Sequence, residues 1–158
     1  MISYAYIDSP LGPLLAAKEN SRLTQLRFPV KGNPAEPSLS WTCRPSMFEH
    51  ETREISAYFS KKLTGFSIPL APMGTDFQQS VWHAMRDIPF GATASYKEIA
   101  EAIHNPRACR AVGRAAGANP LPIVIPCHRV IGSNGTLTGF GSGLAIKQQL
   151  LQLEATAL

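Results

Sequence analysis

Short apolar and alternating stretches dominate the first part of the chain. They predict three strands, at Ile2–Ile7, Leu14–Ala17 and Arg22–Phe28, separated by turns rich in Pro, Gly and Asn. Residues 31–46 contain three prolines and no apolar periodicity, which is typical of a loop or linker. The apolar positions within 47–61 fit one face of an amphipathic helix. We predict one further strand at Gly65–Leu70.

After Pro72 the apolar spacing becomes helical. Thr75 with Gln78 fits the capping-box pattern that begins a helix, and Ser95 with Glu98 repeats it. We predict that the first of these helices ends at Pro89-Phe90-Gly91. The second is predicted to bury Ile99, Ala100 and Ile103.

A third helix is predicted with Asn105 as its N-cap, Pro106 at its first position and its end near Gly117. With the helix before it, this helix forms a helix-turn-helix pattern. Its spacing places three arginines on one face, Arg107, Arg110 and Arg114. Ala108, Val112 and Ala115 are expected to pack inward. Most other positions are Ala or Gly, and Gly113 costs ~1 kcal/mol of helix propensity against Ala. We therefore expect another surface to approach this helix closely.

The order of these elements predicts an α+β fold. We expect a small N-terminal β-sheet subdomain, residues 1–72, packed on a C-terminal helical subdomain with a helix-turn-helix, residues 73–158.

Composition excludes several classes of protein. Hydrophobic residues make up 44% and charged residues 16% of the 158 residues, so a packed core is expected rather than disorder. No apolar run approaches the ~20 residues that span a bilayer. The first ten residues lack the pattern of a signal peptide, so we expect a cytoplasmic protein without membrane contact.

Charge is distributed unevenly around a formal net charge of +4. From Ala102 to Leu153 there is no carboxylate. Five cations lie in the same stretch: Arg107, Arg110, Arg114, Arg129 and Lys147. Such a stretch is typical of nucleic-acid binding. A solvated arginine face on an ordinary helix is the alternative that charge alone leaves open.

The cysteines favour a reactive thiol over a metal or disulfide. Cys43, Cys109 and Cys127 form no CxxC pair, and the four histidines form no HxxxH pattern. We expect no zinc or other metal and no cofactor. Cys43 and Cys109 are interpreted as packing residues.

Cys127 follows Pro126, which interrupts the apolar run Ile123–Ile125. If a helical turn begins there, its N–H groups would favour the thiolate, which is the nucleophilic form. His128 and Arg129 add polarising groups. An inert buried thiol is the alternative that this motif alone leaves open.

The run Ile125-Pro-Cys-His-Arg-Val130 resembles the active-site signature of the O6-alkylguanine-DNA alkyltransferases. The opening SPLGPLLAA is also similar to the N-terminal strands of that family. The similarity continues, in order and spacing, at Ser95-Tyr96, Arg110-Ala-Val-Gly113, Asn119-Pro120, Gly143-Leu-Ala-Ile-Lys147, Leu150-Leu151 and Glu154. It is strong over residues 75–154 and weaker before them.

The resemblance implies a DNA-repair methyltransferase that acts once. It would move the alkyl group of O6-alkylguanine to Cys127 irreversibly, and it leaves open whether O4-alkylthymine is also a substrate. By resemblance, His128 is the base, acting through a water, and Glu154 orients it. Asn119 organises the turn that carries the cysteine.

The same resemblance implies double-stranded DNA with alkylated bases as the partner of a monomer. The recognition helix would lie in the minor groove, with Arg110 filling the space of a flipped nucleotide and Tyr96 assisting its extrusion. Further DNA-binding residues are implied at Ser95, Ala111, Gly113 and Arg114. The alkylguanine pocket would be lined by Tyr96, Val130, Phe140, Gly141 and Ser142. Gly141 and Ser142 depart from common family residues, so the resemblance leaves open the alkyl size accepted and the hydrogen bonding to O6.

Three alternatives have discriminating features. A non-catalytic relative that only flips lesions would lack the cysteine at position 127. A Cys-His hydrolase would turn over many substrates. A transcription factor would use a helix with larger side chains in the major groove.

Overall fold

The computed structural model describes residues 1–136 and 143–155. These divide into two compact units, Met1–Pro72 and Met73–Leu158. The first unit contains a sheet with one helix, and the second is mainly helical. The α+β class predicted from the sequence is confirmed.

The first unit is built on a four-stranded sheet of order β3-β2-β1-β4. Its strands are β1 Ile2–Ile7, β2 Leu14–Glu19, β3 Arg22–Arg27 and β4 Thr42–Cys43. β1 and β2 pair antiparallel, as do β2 and β3, while the short β4 runs parallel to β1. A 3-10 turn, Pro45–Phe48, leads into helix α1, Glu49–Phe59. The loop predicted over 31–46 therefore contains a short strand and the start of a helical turn.

The strand predicted at Gly65–Leu70 is wrong. Only Leu70 forms a bridge, to Leu23, and the remainder of that segment is irregular. Ile68 is nevertheless buried. A buried apolar side chain without a paired backbone explains why the sequence pattern resembled a strand.

The second unit contains four helices among the described residues. They are α2 Asp76–Arg86, α3 Tyr96–Ala102, α4 Cys109–Gly117 and α5 Leu144–Ala155. Both predicted capping boxes are present, at Thr75 with Gln78 and at Ser95 with Glu98. A two-stranded parallel sheet joins β5, Ala94–Ser95, to β6, Val130–Ile131. This pairing places Tyr96, the next residue, beside the chain that follows Cys127.

The predicted start of the third helix is wrong. His104 has φ of 61° and donates its N–H to Glu101, while the Asn105 N–H reaches the Ala100 carbonyl at 2.9 Å. These two bonds form a Schellman motif that ends α3, so Asn105 completes one helix instead of capping the next. A turn closed by the Ala108 N–H and the Asn105 carbonyl then delays α4 to Cys109.

Candidate active site

Asn119 holds together the irregular segment that leads to Cys127. Its side-chain Nδ2 donates to the Ile125 carbonyl at 2.8 Å, and its Oδ1 accepts the Leu121 N–H at 2.9 Å. Ile123 within this loop has φ of 75°, and its side chain is buried. The apolar run Ile123–Ile125 is therefore a buried turn. Through the Ile125 carbonyl, Asn119 joins the end of α4 to the segment that carries Cys127.

Cys127 begins a short 3-10 turn, Cys127–Arg129, in which all three residues are buried. Cys127 itself is 6% exposed. Burial raises the pKa of the thiol to about 11, although the Asn119 side chain, Lys147 and two backbone N–H groups oppose the shift. A helical turn does begin at Cys127 and its N–H groups favour the thiolate, but desolvation outweighs them, so the pKa of the thiol is raised instead of lowered. The resting group is a thiol.

His128 is fully buried and contacts a carboxylate. Its Nε2 lies 2.6 Å from Oε2 of Glu154 on α5. Nδ1, the other ring nitrogen, has no hydrogen-bond partner within residues 1–136 and 143–155. Burial lowers the pKa of His128 below its usual value, while Glu154 opposes this effect. A neutral imidazole with an open ring nitrogen is a group that accepts a proton.

Two cations that the sequence pattern assigned to a basic surface are buried in the structure. Arg129 is 5% exposed and donates through Nε and Nη2 to Glu154, at 2.8 Å and 3.0 Å. Lys147, on the same buried face of α5 as Glu154, has no exposed surface. These residues therefore belong to the interior of the site and contribute nothing to a basic surface.

Lys147 connects three parts of the site. Its Nζ donates to the Val130 carbonyl at 2.6 Å and lies 3.5 Å from the Tyr96 hydroxyl. Its charge lowers the pKa of Cys127, and burial lowers the pKa of Lys147 itself. Sequence reasoning did not place Lys147 in the site. Its position on α5 seven residues before Glu154, two helical turns along one face, is the signal that was available.

The exposed face of α4 carries Arg110 and Arg114, one turn apart. Arg107 is also exposed but lies in the turn before α4, so the predicted three-arginine helix face is reduced to two residues. Val112 and Ala115 are buried as predicted, and Ala108 is half-buried.

Gly113 and Ala111 lie half-buried on α4. Among the described residues, a Cβ at Gly113 would meet nothing nearer than the Tyr96 ring, at 4.0 Å, an ordinary contact. Packing against the described residues therefore does not require glycine at this position. Ser95, the α3 N-cap, and Tyr96 are also half-buried.

The predicted pocket is described in part. Val130 is fully buried, and its carbonyl is already bonded to Lys147, which leaves one lone pair for a further donor. Phe140, Gly141 and Ser142 lie outside the described residues.

Within the described part of the chain, no three His, Cys, Asp or Glu side chains lie close enough together to share a metal ion. No helix described there is both long and apolar enough to cross a membrane.

The assembled groups are those of a nucleophile with a local base. Cys127 and His128 are consecutive residues of one buried turn, the imidazole Nε2 is bound by a carboxylate, and the Lys147 ammonium favours an anion on sulfur. This arrangement can generate a thiolate at the moment it is used.

The sequence similarity to known proteins extends over nearly the whole chain. Residues 2–72 match the family described as the ribonuclease-like domain of 6-O-methylguanine DNA methyltransferase, and residues 76–156 match its DNA binding domain. The chain is 47% identical to the methylated-DNA–protein-cysteine methyltransferase of Methanosarcina acetivorans over 153 residues, covering 97% of this chain and 98% of that protein.

Solved structures of members of this family are similar to this chain over nearly its full length. The O6-methylguanine methyltransferase of Mycobacterium tuberculosis has a TM-score of 0.91 at 48% identity, covering 100% of this chain and 95% of that one. Mycobacterium tuberculosis OGT in complex with DNA has a TM-score of 0.91 at 47% identity, with coverages of 98% and 94%.

Proposed function

The chain belongs to the 6-O-methylguanine DNA methyltransferase family, and we propose that Cys127 is the residue with which it removes the alkyl group of O6-alkylguanine. The protein repairs DNA by alkyl transfer to a cysteine, and DNA is its partner. The observation that carries the assignment to Cys127 is its burial in one short turn with His128, whose imidazole is bound by Glu154.

The proposed chemistry has one displacement. His128 takes the proton of the Cys127 thiol, directly or through a water, and the sulfur attacks the alkyl carbon. An S–C bond forms as the C–O6 bond breaks, and the guanine that leaves regains one proton at its ring. No electron is lost or gained overall. The thioether has no route back to a thiol within this set of groups, so each chain reacts once.

Two further groups support the leaving of guanine. Tyr96 is proposed to donate a hydrogen bond toward guanine as negative charge develops there. Lys147 is placed next to the Tyr96 hydroxyl at 3.5 Å and favours that charge. Asn119 keeps the turn in position, and the Val130 backbone and Phe140, Gly141 and Ser142 are proposed to surround the base and its alkyl group.

Alkylated DNA is proposed to bind through its minor groove against α4. The groove is only ~6 Å wide, so Ala111 and Gly113 allow a close approach that larger side chains would prevent. The guanine must be flipped out of the stack, at a cost of a few kcal/mol, and Arg110 fills its place. Arg114 and Ser95 are proposed to contact the backbone. The proposal keeps the expectations of a monomer and of a cytoplasmic location, which sizing and cell fractionation test.

Transfer of a labelled methyl group tests the proposal. Duplex DNA with radiolabelled O6-methylguanine is incubated with the full chain, with Cys127→Ala and with Cys43→Ala as the matched cysteine control. We expect label on the wild type and on Cys43→Ala, mapping to the peptide of Cys127, and none on Cys127→Ala. Label retained by a folded Cys127→Ala would refute the assignment.

A further inference from the structure

Glu154 is saturated with donors. Oε1 accepts from Arg129 Nε at 2.8 Å and from the Gly91 N–H at 3.2 Å, while Oε2 accepts from His128 at 2.6 Å and from Arg129 Nη2 at 3.0 Å. A carboxylate offers about four acceptor positions. All of them are filled here, two by one guanidinium, so the group is held ionised and cannot take a proton without losing a bond.

Arg129 is fixed on every side. Nη1 donates to the Ile88 carbonyl at 2.7 Å, and the guanidinium lies 5.7 Å from the centre of the Phe90 ring. Ile88, Phe90 and Gly91 all belong to the turn that follows α2. Through these contacts the bidentate pair has one geometry, and that geometry sets which edge of Glu154 faces His128.

An ionised, fully occupied Glu154 determines the tautomer of His128. Because Oε2 can only accept, Nε2 carries the hydrogen and Nδ1 keeps its lone pair. The open Nδ1 is therefore the proton acceptor of the site.

The charges around the imidazole balance in favour of its neutral form. Glu154 raises the pKa of His128, while burial, Arg129 and Lys147 lower it, with burial the largest cause. Cys127 on the same turn is a neutral thiol at rest. Tyr96 faces Lys147, and the buried residues of α2, which packs on this turn, are Val81, Trp82 and Met85, none of which carries a charge.

We propose that Arg129 is a positioning residue of the transfer reaction: it holds Glu154 ionised and keeps His128 neutral, with Nδ1 free to take the Cys127 proton. This rests on the proposed function. Without the guanidinium, an isolated buried carboxylate would favour an imidazolium at His128, and a base that already holds a proton cannot accept another. The step moves one proton from Sγ to Nδ1, directly or through a water, and needs no oxidant or reductant.

Two substitutions of Arg129 distinguish the effect of its charge from that of its bidentate hydrogen bonds to Glu154. Arg129→Gln removes the charge and keeps one donor, whereas Arg129→Lys keeps the charge and loses the bidentate geometry. Arg53→Gln, an exposed position on α1, is the matched control. The rate of transfer from free O6-benzylguanine is measured between about pH 5 and pH 9, the range in which histidine titrates, so that DNA binding does not enter.

We expect the acid limb of the Arg129→Gln profile to move up by about one pH unit, so that below both limbs its rate, relative to its own plateau, is about tenfold lower than that of the wild type. Arg129→Lys and Arg53→Gln are expected to keep the wild-type limb, Arg129→Lys with a lower plateau. A transfer rate for Arg129→Gln that is lower by the same factor at every pH would overturn the proposal. So would an acid limb that moves as far in Arg129→Lys as it does in Arg129→Gln.

Nitrogen NMR of the His128 ring gives an independent reading on the wild-type chain. We expect a neutral imidazole with its hydrogen on Nε2 at about pH 6, below its unperturbed range. An imidazolium at neutral pH, or the hydrogen on Nδ1, would overturn the inference even if Arg129→Gln fails to fold. Failure of the wild type to accept any alkyl group would instead refute the proposed function, and the ring spectrum would still decide this inference.

Discussion

Replacing His128 with glutamine removes the proposed base and keeps a side chain of similar length whose amide can still donate to Glu154. In the wild type the Cys127 proton moves to a neighbour inside the site. In His128→Gln it must leave to solvent. The two routes differ in their dependence on pH.

The structure sets the size of the difference. With the pKa of Cys127 raised to about 11, only about one thiol in ten thousand is ionised at about pH 7, which corresponds to about 5 kcal/mol. A positioned base typically contributes 10²–10⁴-fold in rate, on the order of the whole of this deficit. We therefore expect His128→Gln to lose about 10²–10⁴-fold at about pH 7.

The assay is the single-turnover rate of alkyl transfer from free O6-benzylguanine at several values between about pH 7 and pH 9, below the thiol pKa. The wild type should be nearly flat over this range, because a neutral His128 is present throughout. The variant should gain about tenfold per pH unit, as the thiolate fraction does. His83→Gln, an exposed histidine of α2, should behave as wild type. A flat profile in a folded His128→Gln, or a loss of less than about threefold at about pH 7, would show that His128 is not the base.

Three other substitutions test separate parts of the account. Arg110→Ala should slow transfer from duplex DNA much more than transfer from free O6-benzylguanine, and equal losses would contradict its role in base extrusion. Asn119→Ala removes two side-chain hydrogen bonds to the backbone, of 2.8 Å and 2.9 Å, each worth about 1 kcal/mol. The free energy of unfolding in urea should therefore fall by about 2 kcal/mol, and an unchanged value would mean that other contacts hold the turn. Lys18→Met leaves the carboxylate of Glu51, 1% exposed and 2.9 Å from Lys18 Nζ, without its cation, and should destabilise the first unit by about 3–5 kcal/mol, with part of the loss recovered when Glu51→Gln is added.

Local sequence signals predicted the local structure well. β1 has the bounds that its alternating pattern predicted, and both capping boxes form because the bonds that define them span only three residues. The start of α4 failed because Asn105 suits the end of one helix as well as the beginning of another. A residue in the left-handed region at His104 decided between them, and His is not the usual signal for that conformation.

The electrostatics of the site could not be predicted from the order of charges along the chain. Arg129 and Lys147 were predicted to belong to a basic surface, because the sequence shows which residues are charged but not which are buried. Their partners, Glu154 and the Val130 carbonyl, lie 25 and 17 residues away, and only the fold brings them together. The pKa of Cys127 was predicted in the wrong direction for the same reason, since burial is its largest cause.

The number of alkyl groups that each chain accepts is the most direct test of a single, irreversible transfer to Cys127. With lesion DNA in large excess and the reaction followed to completion, the account predicts that label on protein reaches one group per chain, located on Cys127, and then stops. Repair that continues past that count, with the Cys127 thiol recovered free, would show a catalytic cycle and contradict the account.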